Sequence, residues 1–109
     1  MAGFIKGDVV IVPFPFSDLT GTKRRPALVI ANLQGDDLIL CQITSRTIGD
    51  FYAIRLGNND FSSGGLTQPS NIRPNRIFTA DKQIVLYQAG QIKSEKLTEV
   101  INKIIEIIQ

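Results

Sequence analysis

The chain has 109 residues, 43% of them hydrophobic and 20% charged, and a formal net charge of +2. This composition is typical of one folded domain over residues 1–109, and it excludes a disordered chain or one that needs a disulfide or a structural metal to fold. The absence of histidine and the single cysteine exclude Cys/His zinc sites, Ser-His-Asp hydrolysis and two-histidine ribonuclease chemistry, and no signal peptide or membrane-span pattern is present.

Three apolar segments in the first half of the chain predict β-strands. The first is VVIVPF at 9–14, and a polar loop is predicted from there to Arg25. The second is PALVIAN at 26–32 and the third is LILCQIT at 38–44, with a turn signal at Gly35 between them. These two strands are therefore expected to pair as an antiparallel hairpin.

The second half of the chain is less regular. The alternating segments FYAIRL at 51–56 and NRIFTAD at 75–81 predict two further strands. The segment IVLYQAGQI at 84–92 is compatible with an extended segment or with a single helical turn. The third predicted strand contains Cys41, a lone thiol that we expect to be a small buried hydrophobe in a cytoplasmic protein.

A C-terminal helix is strongly indicated, with Ser94 as its N-cap and a single buried apolar stripe. The stripe comprises Leu97, Val100, Ile101, Ile104, Ile105 and Ile108, whereas Ile107 lies off it. About five short strands followed by one amphipathic helix predict a mainly β fold, a small and strongly curved antiparallel sheet or barrel with a C-terminal helix packed on it.

Basic residues are concentrated in the middle of the chain. Between Lys23 and Arg76 there are seven basic residues, six of them arginine, against four acidic ones. The planar arginine fork binds phosphate through two hydrogen bonds, so this segment indicates nucleic-acid binding, although an ordinary solvated surface is also compatible with it.

Two polar groups are expected to meet at the open end of the predicted hairpin. Arg25 directly precedes the second strand and Thr44 ends the third, so the two are nearly opposite each other across the ladder. Pro26 restricts Arg25 to an extended backbone. The alternative is that Arg25 ends a solvated loop and that Thr44 is a β-former at a strand edge.

An arginine and a threonine are sufficient for one histidine-free reaction. In RNA the 2′-hydroxyl attacks the adjacent phosphate, so a protein needs to position the phosphate and to stabilise the charge that develops on it. Arginine supplies a permanent cation and threonine a hydroxyl that orients an oxygen or relays a proton. RNA cleavage is therefore feasible here.

Several motifs in order resemble the MazF/PemK family of toxins from type II toxin–antitoxin modules: GDVVIVPFPF, TGTKRRPALVI, LCQITSR, RIFTADK and the C-terminal helix. The resemblance covers nearly the whole chain. It implies an SH3-like barrel, a homodimer and a cognate antitoxin partner. It also implies a sequence-specific endoribonuclease that cuts single-stranded mRNA, leaves a 2′,3′-cyclic phosphate and a 5′-hydroxyl, and uses no metal or other cofactor.

The resemblance also assigns site residues. The arginine of the Arg-Pro step and the threonine that ends the third strand are the family's catalytic pair and match Arg25 and Thr44, and Arg73 matches an arginine that contributes in some members. The predicted RNA-binding residues are Lys23, Arg24, Ser45, Arg46, Asn75 and Arg76.

The chain departs from the family pattern at two places. Residues 19–23 read LTGTK where relatives often carry an acidic residue, and Asn75 stands where some carry aspartate. These changes bear on cleavage rate and base preference. A toxin that binds a protein target in the manner of gyrase poisons, or a catalytically silent SH3-like binding module, are the alternative interpretations.

Overall fold

The computed structural model describes residues 3–14, 23–46 and 49–109. In this part of the chain seven strands form one sheet in the order β4-β6-β3-β2-β1-β7-β5, with every pair of neighbours antiparallel. The strands are β1 (Asp8–Phe14), β2 (Lys23–Asn32), β3 (Asp37–Thr44), β4 (Ile54–Leu56), β5 (Phe61–Gly64), β6 (Ser70–Asp81) and β7 (Tyr87–Ile92), and one α-helix follows, α1 (Ser94–Ile108).

The predicted fold class, mainly β with a C-terminal helix, is confirmed. Strand β4 is shorter than the predicted 51–56, and β6 begins at Ser70, earlier than the predicted 75. The segment at 84–92 is extended over β7, which is preceded by a 3-10 turn at Lys82–Ile84. Strand β5 was not predicted, because FSSG carries neither alternation nor an apolar run.

The core has two parts, because successive residues of the central strands point to opposite faces of the sheet. On β1, Val9 belongs to one cluster while Val10 and Val12 belong to the other. Helix α1 covers the first cluster with Val100, and Leu97 and Ile104 pack beside it. The second cluster lies on the opposite face of β1, β2 and β3, where Ala27, Val29, Leu38 and Leu40 are fully buried.

The hairpin of β2 and β3 forms as expected. The strands pair antiparallel from Asn32 with Leu38 to Ala27 with Gln42, and the turn between them contains Gly35. Gly35 has φ +93°, a conformation that glycine adopts without strain.

Strand β2 begins at Lys23, so the prediction of a loop through Arg25 was wrong at its end. Residues 23–25 pair with residues 12–14 of β1. This pairing extends β2 through a cationic segment whose local sequence predicts a loop. The rest of the predicted loop, residues 15–22 with the departure from the family pattern at 19–22, lies outside the described residues.

Two helix predictions were also wrong. The N-cap is Lys93, one residue before Ser94, and its side chain makes no capping bond. The predicted stripe is only partly buried: Ile105 and Ile108 are 47% and 74% exposed, while the off-stripe Ile107 is half-buried. Ile105 is exposed because it lies about 100° around the helix axis from Ile104, and Ile108 is exposed because it lies in the last turn of the helix. In the described part of the chain, no helix has the length and apolarity needed to cross a bilayer.

Candidate active site

Arg25 and Thr44 stand at the same end of the β2–β3 hairpin. The last ladder pair is Ala27 with Gln42, and the two predicted residues follow two positions further along their strands, still within β2 and β3. If the antiparallel register is continued by two residues, Arg25 falls opposite Thr44. By alternation both side chains lie on the face of Ala27, which carries the second core cluster.

The Arg25 side chain has an unsatisfied donor. Its residue is half-buried, and its Nε is buried and makes no hydrogen bond to any described residue. A buried polar group without a partner costs about 1–3 kcal/mol, and more when it is charged. An oxygen of a bound anion would supply the acceptor that Nε lacks.

The Thr44 hydroxyl is held in place by the backbone that follows it. Thr44 is 5% exposed, and its Oγ1 accepts the Arg46 backbone N–H at 3.2 Å. Because the oxygen is engaged as an acceptor, the hydroxyl proton remains available for donation. A donor in this position is aimed by the protein and is only slightly hydrated, which strengthens its interaction with an anion.

A polar row continues from this pair across the sheet. Thr44 pairs with Asn71 of β6, and Asn71 pairs with Arg55 of β4. The Asn71 amide also donates to the Arg46 carbonyl at 3.3 Å. Neighbouring strands are about 4.8 Å apart, so Arg55 lies about 14 Å from Arg25 along the row.

Sequence reasoning missed both Asn71 and Arg55. They join the row through the pairing of β4 and β6 with β3, which brings residues 44, 55 and 71 together. No local signal marks such a pairing, since in the sequence each residue is only one polar side chain among others.

Strand β6 carries a large bulge beside this row. Four residues, 73–76, lie between Ile72 and Ile77, where β3 has only Gln42 between Cys41 and Ile43. Bulges re-aim side chains and are common next to active sites. This bulge contains Arg73 and the two predicted RNA-binding residues Asn75 and Arg76, both exposed.

Arg73 is fixed by an ion pair that sequence analysis did not foresee. Its Nε donates to Asp50 Oδ2 at 2.9 Å, and the Asp50 side chain is only 7% exposed. Asp50 Oδ1 also accepts the Tyr52 N–H at 2.9 Å, which makes an Asx-type turn. Since Asp50 and Arg73 are 23 residues apart, their pairing depends on tertiary structure.

The surroundings of Asp50 keep it ionised. Burial acts to raise the pKa of this carboxyl, but the Tyr52 N–H, the Arg73 guanidinium and the Asn75 amide together hold the pKa below its ordinary value of 3.8. The carboxylate therefore anchors Arg73 at neutral pH.

Cys41 is the buried hydrophobe that was predicted. It is fully buried, and burial raises the pKa of its thiol to about 12. Its Sγ donates to the Arg73 carbonyl at 2.9 Å, which ties the start of the bulge to β3. With so high a pKa the thiol is not a nucleophile.

The remaining predicted RNA-binding residues surround the pair on both faces of the sheet. Lys23 and Arg24 are exposed at the start of β2, and by alternation Arg24 lies on the opposite face from Arg25. Ser45 and Arg46 are exposed just after β3. Ser45 and Pro26 line a cavity of about 500 Å³ on the face opposite Arg25.

Residues 5–108 match the family described as PemK-like, MazF-like toxin of type II toxin–antitoxin system. No curated protein is similar enough in sequence to count as a match.

Several solved structures share the fold. An endoribonuclease from a Mycobacterial species, in complex with its cognate antitoxin, is 14% identical with a TM-score of 0.75, covering 97% of this chain and 95% of that one. The MazE–MazF complex (Form-II) from Deinococcus radiodurans is 22% identical with a TM-score of 0.75, covering 94% and 93%. The Mycobacterium tuberculosis toxin MazF-mt6 is 16% identical with a TM-score of 0.68, covering 91% and 95%.

Proposed function

The chain belongs to the PemK-like, MazF-like family of type II toxin–antitoxin toxins, and from this premise we propose that it is a sequence-specific endoribonuclease acting on single-stranded mRNA. The observation that carries the proposal is the unsatisfied Nε of Arg25 at the same hairpin end as the Thr44 hydroxyl. Two of the solved relatives named above contain an endoribonuclease or a MazF toxin together with an antitoxin, which agrees with this assignment.

In the proposed reaction the RNA supplies its own nucleophile. The 2′-oxygen attacks the adjacent phosphorus and its proton passes to solvent, while the bond to the 5′-oxygen breaks and that oxygen takes up a proton. The products carry a 2′,3′-cyclic phosphate and a 5′-hydroxyl. The Arg25 guanidinium binds the phosphate and stabilises the charge that grows on its oxygens. The Thr44 hydroxyl donates to a phosphate oxygen or relays a proton to the leaving group.

Arg73 is a third candidate for the catalytic machinery. The Asp50 ion pair uses its Nε, and its two terminal nitrogens make no hydrogen bond to any residue in the described ranges. They are therefore available to a phosphate beside the one held by Arg25. Asp50 acts as a positioning residue in this scheme.

The RNA backbone is proposed to follow the polar residues around the pair, all of them exposed except the half-buried Asn71. These are the predicted Lys23, Arg24, Ser45, Arg46, Asn75 and Arg76, together with Asn71 and Arg55 of the row. Phosphate contacts of this kind position RNA without reading its sequence. They also make the affinity fall as salt rises.

A homodimer in the cytoplasm and inhibition by a cognate antitoxin complete the proposal. Ten large apolar side chains of the described residues are exposed, which is consistent with further association. Light scattering on the purified protein measures the mass, and twice 12.0 kDa is expected. Addition of the antitoxin should suppress RNA cleavage.

The central test is cleavage of a long transcript, with both product ends identified. We expect cuts at a short recurring motif, cyclic phosphate ends, and undiminished activity in EDTA because no metal takes part. Arg25→Ala should slow cleavage by at least about 100-fold, the loss typical of removing a charge-stabilising donor. Arg25→Lys should be intermediate, since lysine lacks the bidentate fork.

The control uses an oligonucleotide with one deoxyribose at the mapped cut site. Its binding should be retained and its cleavage abolished, because the nucleophile is missing. Continued cutting would contradict the mechanism. A wild-type protein that cuts no RNA but arrests DNA supercoiling would favour the gyrase-poison alternative, and one that does neither would favour a silent binding module.

A further inference from the structure

An aromatic side chain stands exposed beside the candidate active site, with no role in the reaction described above. Phe51 is 88% exposed, the highest exposure among the large apolar side chains of the described residues. Tyr52 beside it is 37% exposed, so two neighbouring rings are exposed together at this place. One exposed apolar side chain alone is ordinary, so the significance of Phe51 depends on the contacts around its ring.

The ring packs against its neighbour and stands on a hydrogen-bonded turn. Tyr52 packs against it edge to face, with ring centroids 5.4 Å apart and planes at 83°. The turn beneath it is fixed by Asp50, whose carboxylate accepts the Tyr52 N–H and whose carbonyl accepts the Ala53 N–H at 3.2 Å. A preorganised ring loses little conformational entropy when a ligand stacks on it.

Phe51 forms one wall of a cavity of about 370 Å³. The other lining residues are Gly49, Asp50, Tyr52, Arg73 and Asn75. This cavity therefore combines an aromatic face with donor and acceptor groups from the β6 bulge. An aromatic face together with hydrogen-bonding groups at its edge is how proteins hold an unstacked nucleobase.

The cavity is connected to the proposed catalytic pair through β6. Asn71 pairs with Thr44, and Arg73 follows two residues later, about 7 Å further along the strand. A strand of RNA whose phosphate lies on Arg25 and Thr44 would thus place a neighbouring base near Phe51.

We infer that Phe51 is a specificity-determining residue on which one unpaired base of the RNA stacks, close to the scissile phosphate, while Asn75 contacts the edge of that base. This inference rests on the proposed ribonuclease function and adds the subsite that reads the substrate. Because stacking forms before the reaction and persists through it, Phe51 contributes to binding and to base preference more than to the chemical step.

The test compares Phe51→Ala with Phe51→Trp, which keeps an aromatic face. The matched control is Leu33→Ala, an exposed apolar residue in the turn at the other end of the β2–β3 hairpin, eight residues and about 26 Å from Arg25 along the strand. The probe is an RNA oligonucleotide carrying the mapped motif with deoxyribose at the cut site, and the same motif as all-RNA for kinetics.

Phe51→Ala is expected to weaken binding by roughly 5- to 150-fold, the range for loss of one base stack. It should raise KM with little change in kcat and relax the preference at one position of the motif. Phe51→Trp and Leu33→Ala should bind as the parent does. An abasic site at that position should cause at least as large a loss, because it removes the edge contact as well as the stack, and Phe51→Ala should then add nothing further.

Three outcomes would overturn the inference. The first is unchanged affinity and motif in Phe51→Ala while the parent cuts RNA, which leaves the proposed function intact. The second is additive losses from the abasic site and the substitution. The third is a halved molecular mass of Phe51→Ala, which makes Phe51 a subunit contact instead. A parent protein that neither binds nor cuts RNA would refute the proposed function itself.

Discussion

The two halves of the candidate site are built in different ways. Arg25 and Thr44 sit on paired strands, and their backbone positions follow from the registers of β1 with β2 and of β3 with β6. The turn at 49–52 and the bulge at 73–76 instead hold each other through side chains, above all the Asp50–Arg73 ion pair.

The two ways of building the site differ in how easily a substitution changes them, and the two halves are proposed to have different roles. A strand ladder fixes its residues through many backbone hydrogen bonds, so one substitution does not move them. A bulge and a turn that are joined by a few side-chain contacts change easily with sequence. The proposed division, with the catalytic pair on the ladder and base reading on the turn and the bulge, matches the usual placement of variable function on loops over a rigid scaffold.

The largest effect on the cleavage rate is expected from Thr44→Val, in the half of the site carried by the paired strands. Valine keeps the shape of threonine, so the fold and the melting temperature should change little, while the lost hydroxyl should slow cleavage by about 100-fold or more. Thr44→Ser should retain most of the rate. Single-turnover kinetics with saturating protein measure this step, and a Thr44→Val rate near that of the parent would exclude the hydroxyl from the reaction.

A smaller effect is expected from Asp50→Asn, in the half of the site formed by the turn at 49–52 and the bulge at 73–76. This change removes the charge that anchors Arg73, and we expect it to lower the free energy of unfolding by about 1.5–3 kcal/mol, the range for a hydrogen bond to a charged group. Cleavage should fall less than in Thr44→Val, because Arg25 and Thr44 stay in place. Urea denaturation and single-turnover rates measure the two quantities.

The pH dependence sharpens the same comparison. The pKa of Asp50 is depressed in the folded protein, so its stabilising effect is present above the ordinary value of an aspartate and is lost as pH falls through the lower folded value. The stability difference between the parent and Asp50→Asn should therefore be constant near neutral pH and shrink below about pH 4. A difference that persists unchanged at pH 2 would show that the charge is not its source.

The smallest effect should come from Arg55→Ala at the far end of the row. Removing one phosphate-binding cation from the path of a single RNA strand should weaken binding a few-fold and reduce the slope of log affinity against log salt by about 0.7. The catalytic rate at saturating RNA should be unchanged. An unaltered salt slope would place Arg55 outside the RNA path.

Local sequence signals were sufficient for part of this protein. The apolar runs of β1, β2 and β3, the turn at Gly35 and the apolar periodicity of α1 follow from short-range pattern, and they predicted the hairpin that carries Arg25 and Thr44. Only the tertiary structure decided that β2 starts at Lys23, that Asn71 and Arg55 extend the row, and that Asp50 holds Arg73. The reason is physical: periodicity reports which face of a segment is buried, whereas the partner of a strand or of a charge depends on distant residues and on burial.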